Sequence, residues 1–178
     1  MAAEVASDGQ VDHVGARVAL TPRFEVVGST ALLSFFVRGT PTPKGRPRFG
    51  KDKYGRPRTY TPQDTVDWEN QVGWEARAAI NRLSGRATDD GELRLPFEER
   101  VLSELTFYMP KPKSYPKSMV HMTKKPDLDN LSKAVLDALS KAKVIKDDNI
   151  VTDEVNRKRY AEVEGVPTGV HVTLTGWL

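Results

Sequence analysis

Asp127, Asp129, Asp147 and Asp148 fall within one stretch of 22 residues, with Lys133 between the two pairs. Carboxylates at that density are the donor set a hard divalent cation needs, because such ions take oxygen ligands and can hold a phosphate between themselves and the protein. The chemistry in view is metal-assisted hydrolysis of a phosphodiester. An Asp-x-Asp alone carries little weight, since aspartate is also a favoured helix N-cap. The surrounding residues have to decide.

Pro126 disfavours helix in the residue before it, so a helix can begin only just after it, with Asp127 as the natural N-cap. Leu128, Leu131, Val135, Leu136 and Leu139 recur at spacings of three and four and predict an apolar face about three turns long. Asp129, Lys133 and Asp137 share a different line, i, i+4 and i+8, which predicts an exposed charged row. The helix should fade near Lys141 to Lys143. Val144-Ile145 then leads to Asp147-Asp148-Asn149, residue types suited to a tight turn, before a strand from Ile150. Such a return is expected to bring Asp148 back beside the helix start and assemble three carboxylates in one place.

Pro126-Asp127-Leu128-Asp129-Asn130, Lys133, Asp137-Ala138-Leu139 and Asp147-Asp148 together resemble the RusA family of Holliday-junction resolvases. A second motif agrees upstream, where Pro41-Thr42-Pro43-Lys44-Gly45-Arg46-Pro47-Arg48-Phe49 follows a strand and Tyr60-Thr61-Pro62 comes after. The resemblance spans roughly residues 32–178. It implies Asp127, Asp129 and Asp148 as metal-binding, catalytic carboxylates, Lys133 as an essential basic partner, and Asp147 as a further candidate. It also implies Mg²⁺, with Mn²⁺ as a substitute, and a homodimer. A four-way junction is approximately two-fold symmetric, and a symmetric dimer would present two sites to its opposing strands. Lys158 matches a basic position in the family's third strand.

Composition is compatible with this reading and closes off others. The 178-residue chain suits one domain with a real core, and it contains no cysteine, which excludes disulfides and thiolate zinc sites. His13, His121 and His171 are scattered too widely to suggest a metal cluster. Without a membrane-length apolar run or a signal-peptide layout, a cytoplasmic location and no membrane partner are expected. The net charge of +3 says less than its distribution. Lys44 to Arg58 holds seven basic residues and one acid, Asp52, with Phe49 and Tyr54 interleaved, and Lys111 to Lys125 holds five lysines and no acid. Both stretches read as Pro- or Gly-bearing loops that could track phosphates, and they flank an acidic site that would otherwise repel a polyanion. Lys44, Arg46 and Arg48 join Lys158 as candidate DNA-backbone contacts. The plainer alternative is a pair of solvated basic loops.

Residues 1–28 lack periodicity and are expected to form a loosely ordered tail, with the nuclease-like domain at 29–178 and a loop insertion at 84–99. A strand at 32–38, a helix at 62–83 and strands at 101–109, 150–161 and 170–178 complete the outline. The helix stripe comprises Trp68, Val72, Ala76, Ala79 and Leu83, and Trp68 and Trp74 are both read as packing residues. The order β-α-β-α-β-β predicts a single small α+β (α/β) domain, a mixed sheet packed by two helices. The expected function is Mg²⁺-dependent, structure-selective cleavage of branched DNA, resolving four-way junctions by paired nicks. Alternatives are a metal-dependent nuclease for other branched DNA, a non-catalytic branched-DNA-binding protein, and a structural protein whose acids merely form salt bridges.

Overall fold

The computed structural model describes residues 9–11, 17–84 and 95–177. In chain order the strands and helices are β1 (Gly9–Val11), β2 (Arg17–Ala19), β3 (Arg23–Val27), β4 (Thr30–Arg38), β5 (Arg48–Lys51), β6 (Pro57–Tyr60), α1 (Gln63–Ser84), β7 (Val101–Met109), α2 (Leu128–Lys141), β8 (Val151–Tyr160), α3 (Ala161–Glu164) and β9 (Gly169–Trp177). Five strands form the main sheet in the order β3-β4-β9-β7-β8, and β1-β2 and β5-β6 form separate pairs. The sheet is mixed: β7 and β8 run parallel, and the other neighbours antiparallel. A parallel pair requires a crossover, and α2 supplies it. The domain is α+β, as expected, with a third helix in the four-residue α3.

Alternation sets the sheet's two faces. Val170, Val172 and Leu174 of β9 are fully buried, while His171, Thr173, Thr175 and Trp177 between them remain partly accessible. The buried face meets Leu33, Phe35 and Val37 of β4, Val101, Leu105 and Phe107 of β7, and the apolar stripes of α1 and α2 in one core. Trp68 belongs to that core, but Trp74 is 68% exposed and does not pack as expected. The stripe at 68, 72, 76 and 79 turns position 74 outward.

Three expected boundaries change. The sequence from Arg23 to Val27 is not tail: it pairs with β4 throughout its length, and Phe24 is buried. The basic stretch after Lys44 is not all loop, because Arg48–Lys51 and Pro57–Tyr60 pair as a hairpin whose turn is tied by Asp52 to the backbone N–H groups of Tyr54 and Arg56. The expected 84–99 insertion lies largely outside the described residues, but Phe97 at its end is buried and bridges to Ile145. Gly176 permits this, as a Cβ there would come 2.3 Å from the Phe97 ring. No helix among the described residues is long and apolar enough to cross a membrane.

Candidate active site

Helix α2 is fixed to the sheet by Leu131, Ala134, Val135 and Leu139, all essentially inaccessible to solvent. Asp127 is its N-cap in position and extended in backbone, yet its carboxylate makes no capping bond. Beyond the helix, Val144 and Ile145 are fully buried, and Phe97 exchanges backbone hydrogen bonds with Val144 and Lys146. That anchor sets where the Asp147-Asp148 pair emerges. Asp147 accepts a bond from Asn149 N–H at 3.1 Å and so caps the short 3₁₀ turn formed by Asp148–Ile150. Asp148, one residue on, makes no side-chain hydrogen bond among the described residues.

Asp129, Ser132, Lys133 and Leu136 of α2, Asp148 of the turn, and Glu154 and Asn156 of β8 line one recess. Among the described residues, no hydrogen bond or ion pair engages the charged groups of Asp129, Lys133 or Asp148. Asp127 lies in the adjoining recess with Pro41, Pro43, Lys44, Met109, Lys125 and Asn130. Asp129 and Asp148 thus line one recess and Asp127 the other. No three Asp, Glu or His side chains among the described residues are close enough to form a ligand cage.

Two of the four expected backbone-binding cations are engaged within the protein. Lys158 donates 2.8 Å bonds to the carbonyls of Lys124 and Pro126, bracing the chain just ahead of Asp127. Lys44 forms ion pairs with Glu69 and Asp137, and its own N–H donates to the Asn130 carbonyl at 2.8 Å. Burial lowers the Lys44 pKa, but hydrogen bonds and charges from Asp137 and Glu69 outweigh it and leave the group above its usual value. Both lysines thus brace segments of the chain around the candidate site. Asp137 is correspondingly half-buried, not part of an exposed row. Arg46 and Arg48 remain exposed.

Three wall residues were not anticipated. Glu154 is fixed by Ser132 Oγ at 2.6 Å and Asn156 Nδ2 at 2.7 Å, both donating to Oε2. The Asn156 amide oxygen is buried without a donor. For Glu154 and Asn156 the signal lay in strand alternation, since both share a face of β8 with Lys158, already singled out. The donor set suits Mg²⁺, which commonly takes one or two protein carboxylates and completes its shell with water and substrate phosphate. Asp129 and Asp148 supply such a pair. Residues 38–174 match the family described as endodeoxyribonuclease RusA. No curated protein matches the chain.

Proposed function

The chain belongs to the RusA family of endodeoxyribonucleases, and from that premise we propose that it resolves four-way DNA junctions by paired, symmetric nicks, acting as a Mg²⁺-dependent homodimer. The observation that carries this reading is the recess itself. Asp129, Asp148 and Lys133 line it with no hydrogen bond or ion pair to any described residue, although an i, i+4 pairing of Asp129 with Lys133 was available.

Asp129 and Asp148 would hold the ion, with Asp127 at the adjoining rim as a further carboxylate; Mn²⁺ fits the same oxygen donors. When bound, the ion supplies Lewis-acid charge beside the phosphate and makes hydroxide available near neutral pH. Lys133 then balances charge on the phosphate from the helix surface. Glu154, its Oε2 fixed by Ser132 and Asn156, gives the wall a set position. Arg46 and Arg48 would attract the DNA backbone towards an acidic site that repels it. Lys158 and Lys44 hold the segments before Asp127 and before the basic hairpin.

The test is cleavage of a labelled immobile four-way junction, a duplex and a splayed fork of the same sequence in Mg²⁺, with Asp129→Asn as control. Ligatable nicks on opposing strands of the junction alone, absent in the variant, are expected. Equal cutting of all three would replace junction resolution with general nuclease activity, and tight junction binding without cutting would remove the catalytic assignment.

A further inference from the structure

The hairpin formed by β5 and β6 carries three exposed aromatic side chains, and among the described residues one of them, Phe49, has no ring or cation packed on it. Tyr54, at the turn, has Lys53 Nζ 4.9 Å and Arg56 Cζ 5.9 Å from its ring centre. Tyr60 lies across the hairpin at Gly50, where a Cβ would come 3.2 Å from the ring. Phe49 pairs in register with Thr59, whereas Tyr60 pairs with Arg48, so strand alternation puts the two rings on opposite faces. Phe49 is 87% exposed, and among the described residues no ring or cation packs on it.

The root of this hairpin is tied to the candidate active site. Lys44 N–H bonds the Asn130 carbonyl in the first turn of α2, and Gly45 N–H donates to Thr65 Oγ1 at 3.2 Å, with Thr65 buried. From Lys44 an extended chain rises about 3.3 Å per residue, which puts Phe49 within roughly 17 Å of the root. Its surroundings select the partner. Residues 44–58 hold seven cations against one acid, a balance that favours a polyanion over a second copy of a basic surface. A free aromatic face among cations has the chemistry of a platform for unpaired bases, in which the cations follow the backbone and the ring takes a base face.

We propose that Phe49 stacks on an unpaired base of branched or single-stranded DNA held by the hairpin. This rests on the nuclease reading for why such DNA is present. Stacking does not depend on sequence, so the ring favours strands whose bases are open over a closed duplex.

The test titrates the full-length wild type, Phe49→Ala and Phe49→Tyr, in EDTA so that no strand is cut. The probes are a single-stranded oligonucleotide, a duplex of equal length, and a four-way junction with 2-aminopurine at the branch. The single strand and duplex also carry 2-aminopurine. Wild type should change the emission of the single strand and of the branch. Phe49→Ala should lose that change and about tenfold in single-strand affinity relative to duplex, and Phe49→Tyr should restore both. An unchanged affinity ratio and unchanged emission in Phe49→Ala would overturn the proposal. So would a Phe49→Ala chain that sediments at lower mass than wild type, because the ring would then belong to an interface between copies. Junction cutting in Mg²⁺ reports separately: no cutting by wild type, with the emission changes intact, would sink the resolvase reading and leave the stacking in place.

Discussion

Helix α2 carries an aspartate four residues ahead of a lysine twice, at Asp129–Lys133 and again at Asp137–Lys141. Both pairs have the spacing that favours a helix-surface ion pair, and from sequence they are indistinguishable. Their surroundings separate them. Asp137 and Lys141 are drawn into a network around Glu69, a carboxylate only 5% exposed that pairs with Lys44 and Lys141 while Lys44 also pairs with Asp137. Asp129 and Lys133 face a recess and engage no described residue there. Charges that the fold uses are paired across elements, whereas those lining the recess are left without a partner among the described residues. The same helix thus carries a pair held in a network and, two turns away, a pair that the proposed function assigns to the reaction.

The largest effect should come from removing the available carboxylates. Asp129→Asn and Asp148→Asn are each expected to reduce junction cutting about a thousandfold or more, since on the proposed mechanism each removes a charge that would hold the ion. Their melting temperatures should stay at or above wild type, as no structural bond is lost. A large fall in melting temperature would show these residues to be structural after all, and the contrast would disappear.

Next come the two lysines, taken as a matched pair. Lys133→Met should reduce cutting about a hundredfold, the order of removing one preorganised charge from a phosphoryl-transfer site. Its unfolding free energy should change by under about 0.5 kcal/mol. Lys141→Met should do the reverse: cutting near wild type and a loss of up to about 1 kcal/mol, because its side chain is 65% exposed and well screened. If the two variants behave alike in both assays, the spacing and not the surroundings governs.

Much of this fold could be read from the chain, and the unread parts share a cause. The stripe Leu131, Val135 and Leu139 and the alternation Val170, Val172 and Leu174 are periodic, so α2 and β9 were legible within a residue or two. Arg23–Val27 was missed because a short edge strand with Arg, Glu and a single buried Phe offers little periodicity. The β5-β6 hairpin was hidden by its own charge, as neither strand buries a face. Within the site, the Asp129, Lys133 and Asp148 positions were visible as motif spacing. Which recess each side chain lines was not, because that is set by how α2, the turn at Asp148 and β8 pack together. The partners of Lys44 and Lys158 were also illegible, because they are distant in sequence: Glu69 lies 25 residues from Lys44, and the Pro126 carbonyl 32 residues from Lys158.

A third break of the comparison targets the paired network. Lys44→Met should cost about 2 kcal/mol in urea unfolding, below the 3–5 kcal/mol typical of a wholly buried broken pair, because Lys141 still faces Glu69. Cutting at a permissive temperature should fall as well, since Lys44 ties the hairpin root to the first turn of α2. An unchanged stability would mean that Glu69 is satisfied by Lys141 alone and that the structural pair extends no further than the helix.

The smallest effect is a pH dependence that only the paired lysine should show in this form. Burial pulls the Lys44 ammonium towards neutrality, but hydrogen bonds and charges from Asp137 and Glu69 more than reverse that, and its folded pKa stands above the ordinary 10.5. A base with a raised folded pKa contributes stability that is complete below its unfolded value and is lost as pH rises through the folded one. The difference in unfolding free energy between wild type and Lys44→Met should therefore stay level from about pH 8 to about pH 10 and narrow above that. Other lysines and tyrosines titrate in the same range, but they are common to both proteins and cancel in the difference. A gap that stays level through alkaline pH would trace the cost of Lys44→Met to lost packing of its aliphatic stem, and the network would then owe its stability to shape and not to charge.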